Sequence, residues 1–69
     1  MKKQALELVR RIYNGLKFDI PHGDLEDIFN GAVTQAKLFC DVMTDENPER
    51  KEKYDMLRSE IAKLTFKNI

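Results

Sequence analysis

Apolar residues recur at helical spacing in three stretches of the chain, and no stretch alternates with the two-residue period of a β-strand. The pattern predicts helices over about residues 2–14, 24–43 and 48–64, joined by short connections typical of antiparallel neighbours. We therefore expect an all-α fold, a small three-helix bundle that forms a single domain over residues 1–69. The second helix is expected to be central.

Local signals predict where the helices begin and end. Gly15, which follows an asparagine, is typical of the residue just past a helix end. Asp24 is a good N-cap for the second helix, because its carboxylate can accept hydrogen bonds from the first free backbone N–H groups. Asn47 before Pro48 predicts the start of the third helix in the same way.

Two pairs of apolar residues lie outside the predicted helices. Phe18 and Ile20 are in the first connection, and we expect them to fold back over one end of the core. Phe66 and Ile69 follow the third helix, and they predict that this C-terminal tail docks on the bundle.

The second helix is uncharged on two sides. Its main face carries nine apolar residues, namely Leu25, Ile28, Phe29, Ala32, Val33, Ala36, Phe39, Cys40 and Met43. Gly31, Gln35, Leu38 and Val42 form a second stripe on another side of the helix. A helix that is apolar on more than one side is either central in its domain or buried by another chain. We therefore predict the second stripe as an interface and the protein as a homodimer or higher oligomer.

The net charge is zero, because twelve basic residues balance twelve acidic ones. The charges are nevertheless segregated: residues 1–23 carry +3, residues 24–46 carry −5 and residues 47–69 carry +2. Proteins that coat nucleic acid usually have a clear positive excess. The composition, 42% hydrophobic and 35% charged, is that of a folded domain rather than a disordered one.

A candidate basic patch comprises Lys3, Arg10, Arg11, Arg50 and Arg58. Basic residues early in the third helix are compatible with a helix-turn-helix in which that helix enters the major groove. Acidic residues interleave with them and would meet phosphates. A nucleic-acid-binding regulator that uses the third helix is therefore the alternative rather than the first prediction.

Groups that carry chemistry are few. His22 is the only histidine, and its spacing from Asp19 and Asp24 matches no closed zinc motif. Cys40 is the only cysteine and lies on the main apolar face of the second helix, where burial makes a thiol unreactive. No glycine-rich phosphate loop is present. We expect no catalytic residues, no cofactor and no metal.

These observations predict a small non-enzymatic module that binds other proteins as a regulator, inhibitor or adaptor. Its partners are expected to be a second copy of the chain and an unidentified protein. Short charge-balanced helical chains of this kind are common among phage and mobile-element accessory proteins. The absence of a long apolar run and of a signal peptide, with a lone cysteine, favours the cytoplasm and argues against a membrane partner.

Overall fold

A computed structural model describes all 69 residues and contains three α-helices and no strand. The helices are Lys2–Asp19 (α1), Leu25–Glu46 (α2) and Lys51–Ala62 (α3). Short 3₁₀ turns at Pro48–Arg50 and Phe66–Asn68 precede and follow α3. The prediction of a small all-α three-helix bundle is therefore confirmed.

One apolar core lies where the three helices meet. It has eleven buried residues and no buried polar or charged side chain: Ala5, Val9, Tyr13, Ile28, Phe29, Ala32, Ala36, Cys40, Tyr54, Leu57 and Ile61. α2 supplies five of the eleven and packs against both other helices. The core is small for a chain of this length, because the bundle is only 14 Å thick along its shortest axis.

Prolines, and not the glycine signal, determine where the first two helices end. α1 continues through Gly15 to Asp19, five residues beyond the predicted end. The preference of a residue before proline for extended backbone stops α1 at Ile20 and α2 at Asn47. The prediction for Gly15 was wrong because the next turn of α1 packs Leu16 against the core, which outweighs the roughly 1 kcal/mol penalty of a helical glycine.

The longer α1 also changes the position of Phe18. Within a continuous helix, nine residues separate Phe18 from the buried Val9, which places them about 180° apart around the axis. Phe18 is accordingly 86% exposed, and Ile20 is 49% exposed. The expectation that these residues cover one end of the core was therefore wrong for Phe18, whereas the half-exposed Ile20 packs with Ile28 around Gly23.

The start of α3 differs in detail from its prediction. Asn47 makes no side-chain cap for the next turn and instead donates from Nδ2 to the carbonyl of Met43 at 3.1 Å. Pro48 begins the 3₁₀ turn, and the α-helix itself starts at Lys51 and ends at Ala62, two residues before Leu64. Asp24, by contrast, is the predicted N-cap of α2 and accepts from the backbone N–H groups of its first turn.

The C-terminal tail docks on the bundle, as predicted. The ring of Phe66 lies 5.9 Å from that of Phe29, and Ile69 packs against the core. The guanidinium of Arg10 donates to the carbonyl oxygen of Asn68 at 3.2 Å. The tail therefore packs on α2 through Phe66 and is linked to α1 by the hydrogen bond of Arg10.

Candidate interaction surfaces

Cys40 lies inside the core, with 1% of its surface exposed. Burial raises the pKa of its thiol above the usual value, and the charge of Asp41 adds to that effect, while Arg58 opposes it. A thiol in this setting stays protonated and is a poor nucleophile. The placement agrees with the sequence prediction that Cys40 is a packing residue.

The remaining groups with possible chemistry do not converge. His22 is exposed in the turn between α1 and α2. Asp24 is engaged as a helix cap: its Oδ1 accepts from the N–H groups of Glu26 and Asp27 at 2.9 and 3.1 Å. No three histidine, cysteine or acidic side chains come close enough together to form a metal-binding group.

The predicted basic patch is divided among different contacts. Arg58 donates from Nε to Asp41 at 3.1 Å, which links α3 to α2. Arg10 is bonded to the tail. Lys3, Arg11 and Arg50 are exposed and take part in none of the ion pairs. Since α3 has a formal charge of zero, a nucleic-acid role for it stays a prediction without further support.

The structure divides the second stripe of α2 into two halves. Leu38 and Val42 are 56% and 51% exposed, so no other part of the chain covers them. Gly31 and Gln35, one to two turns earlier, line a crevice between α1 and α2. A β-carbon at Gly31 would lie 3.8 Å from Leu16 Cδ1, which is ordinary contact, so the packing of the chain does not require a glycine there.

The α1–α2 crevice has a volume of about 420 Å³ and lies at the end of the bundle where α1 turns into α2. Leu16, Ile20 and Ile28 form its apolar wall. Asp24 and Asp27 supply its only charged groups, both negative. The volume is within the range of ligand-binding clefts. The crevice is therefore a concave apolar surface with an acidic rim.

Sequence reasoning did not identify this crevice. The sequence placed residues 15–23 in the connection between the first two helices and Asp24 at the N-cap of the second. The only available signal was the concentration of carboxylates around an apolar Ile-Pro turn. That signal indicates a crevice only if α1 continues far enough for Leu16 to line it. The sequence prediction ended the first helix at residue 14, five residues too early.

None of the three helices contains a stretch long and apolar enough to cross a bilayer. The chain matches no known protein family, and no curated protein and no solved structure is significantly similar to it.

Proposed function

We propose that this protein is a small non-enzymatic interaction module that acts as a homodimer and regulates, inhibits or adapts a partner protein. One observation carries the proposal: Leu38 and Val42 are adjacent on α2 and more than half exposed, although α2 packs against both other helices. Phe39, on the same part of α2, is 41% exposed. A cytoplasmic setting and a role as a phage or mobile-element accessory protein belong to the same proposal.

In the proposed dimer, the contact would extend from α2 onto the half-buried apolar residues of α1. Leu8 and Ile12 are half-buried, and both lie about 160° around α1 from Arg10, which contacts the tail. Both residues pack against the core from α1, while Leu38 and Val42 are exposed on the neighbouring helix α2. Two adjacent helices with partly exposed apolar residues form a surface that a second helical pair can cover.

Charge complementarity supports a second copy of the chain as the occupant. α1 carries a formal charge of +3, and α2 carries −4. A two-fold axis parallel to the helices would place α1 of one copy against α2 of the other, so that opposite charges alternate around four helices. An axis across the helices would instead oppose like charges. We therefore propose the first arrangement, with a contact centred on Leu38 and Val42.

Light scattering coupled to size exclusion tests this proposal on the wild-type chain and on Leu38→Asp. We expect the wild type to have twice the 8.1 kDa mass of one chain and Leu38→Asp to have the mass of one chain. Asn30→Asp is the matched control, because it adds the same charge to an exposed position on another side of α2 and should leave the dimer intact. A monomeric wild type, or a dimer unaffected by Leu38→Asp, would show that this surface is not a homodimer interface.

A further inference from the structure

We infer that the α1–α2 crevice is a docking site for a cationic amphipathic helix of a partner protein. The inference rests on the proposed function and names the chemistry of the foreign partner. The residues of α2 that line the crevice lie closer to the start of that helix than Leu38 and Val42, on which the proposed dimer contact is centred.

The crevice is elongated along α2. Its lining residues on that helix run from Asp27 and Ile28 through Gly31 to Gln35, and Asp24 precedes them at the cap. From Asp24 to Gln35 a helix rises about 16 Å, or three turns. A groove of that length, lined at positions three and four residues apart, fits a helical segment better than a compact small molecule.

The wall of the crevice is apolar and accessible. Leu16 is half-buried, Ile20 is 49% exposed and Ile28 is buried beneath them. The missing side chain at Gly31 keeps the middle of the groove open, since a β-carbon there would approach only Leu16 within 4 Å. Apolar side chains from one face of a partner helix could therefore enter the groove and lose their contact with water.

The charge around the crevice determines what can flank those apolar side chains. Two charged residues line the crevice, Asp24 and Asp27, and both are negative. The ammonium of Lys17 lies over the ring of Tyr13, 5.4 Å from its centroid, and it is not among the residues that line the crevice. None of the three ion pairs in the protein involves Asp24 or Asp27.

These carboxylates favour a lysine- or arginine-bearing segment and disfavour two other classes of partner. An anionic membrane surface and a nucleic-acid backbone would both be repelled by the two rim carboxylates, Asp24 and Asp27. A basic helix with an apolar face can pair its cations with the rim carboxylates and pack its apolar side chains on the wall of the crevice. It would bind in the helix-in-groove mode.

The test uses a fluorescein-labelled 14-residue helical peptide of leucine and lysine as the probe, titrated with the full chain and followed by fluorescence anisotropy. The same peptide with glutamate in place of lysine is the charge control. We expect the lysine peptide to bind and the glutamate peptide not to bind. Equal affinity for the two peptides would overturn the inference, because the rim would then play no part.

Two variants locate the binding site. Asp27→Lys should weaken binding at least tenfold, whereas Asp45→Lys, the same change near the other end of α2, should alter it less than twofold. Gly31→Leu should also weaken binding at least tenfold without any change of charge, because its side chain would fill the groove. If Asp45→Lys weakens binding as much as Asp27→Lys does, the peptide is attracted by net charge alone and the docking site is disproved.

Light scattering on the same samples separates this inference from the proposed function. Leu38→Asp should dissociate the dimer, while Asp27→Lys should leave its mass unchanged. Loss of the dimer in Asp27→Lys would mean that a second copy occupies the crevice, and the foreign-partner inference would fail. A wild-type monomer that still binds the lysine peptide in the expected pattern would contradict the homodimer alone.

Discussion

At the scale of single residues, the environment of Cys40 is the most distinctive in the protein. Its thiol is enclosed in the core on a helix whose formal charge is −4, next to Asp41. Both burial and the neighbouring carboxylate disfavour the thiolate, so the pKa of Cys40 is raised. The positive charge of Arg58, which pairs with Asp41, lowers the pKa of Cys40 and offsets this rise only in part.

We expect the native protein to react with Ellman's reagent at pH 8 at least about tenfold more slowly than the same chain unfolded in guanidinium chloride. Reaction must await an opening of the core, and the opened chain has an ordinary thiol. Since Cys40 is the only cysteine, the absorbance change reports this site alone. Equal rates for the native and unfolded chains would contradict the burial of the thiol.

The same raised pKa gives a pH dependence of stability. Above about pH 8.5 the unfolded thiol loses its proton while the folded thiol keeps it, so the unfolded state binds fewer protons. The free energy of unfolding should therefore fall as pH rises from 8 towards 10. In Cys40→Ala that part of the decline should be absent, which urea unfolding at several pH values would detect.

At the scale of elements, the three glycines lie in three different settings. Gly15 and Gly31 are inside helices with negative φ, and a β-carbon would meet nothing within 4 Å at Gly15 and only ordinary contact at Gly31. At Gly23, in the turn before α2, a β-carbon would lie 2.9 Å from Ile20 Cγ2 and 3.0 Å from Ile28 Cδ1. Only Gly23 is needed for close packing.

Alanine substitution of these glycines should therefore change stability with opposite signs. Gly15→Ala and Gly31→Ala should each raise the free energy of unfolding by about 0.5–1 kcal/mol, because alanine loses less backbone entropy in a helix. Gly23→Ala should lower it, since two packed isoleucine side chains must move. Urea unfolding of the three variants measures all three changes. A stabilising Gly23→Ala would show that the turn is more loosely packed than described.

The same elements show how far the sequence determines the structure. Helix periodicity identified the core residues of α2, because Ala32, Ala36 and Cys40 of its predicted main face are buried. Leu25 and Phe39 of the same face are 46% and 41% exposed, so that part of the prediction was wrong.

Helix ends were less predictable. Gly15 is a local signal for the end of a helix, but α1 continues through it because Leu16, one residue later, packs against the core. The crevice could not be read from the sequence, because its shape depends on the separation of two helices that are distant along the chain.

At the scale of the whole molecule, the bundle is thin and buries few residues. Its extents are 41 × 21 × 14 Å, and only eleven of 69 residues are buried. A domain this small buries about 60% of the surface that its unfolded chain exposes, which leaves a narrow margin of stability. Covering Leu38 and Val42 in a dimer would add apolar burial that the monomer lacks.

Dimerisation should therefore make the Tm depend on protein concentration. We expect the Tm of the wild type to rise by several degrees over about a hundredfold increase in concentration, because association stabilises only the folded chain. Leu38→Asp should show the same Tm at every concentration, and Asn30→Asp should behave as the wild type does. Thermal unfolding followed by circular dichroism and by differential scanning fluorimetry measures the Tm over this range of protein concentrations. A concentration-independent Tm in the wild type would argue against a folded dimer.

The two tyrosines have a consequence for spectroscopy. Tyr13 and Tyr54 are both buried in the core, 5% and 7% exposed, and the chain contains no tryptophan. The near-ultraviolet circular dichroism of the protein above 270 nm should therefore come almost entirely from these two phenols. A variant that keeps its helical far-ultraviolet spectrum but loses this signal has lost its packing rather than an interface. The optical signature of two side chains can thus show whether a monomeric variant is still a folded one.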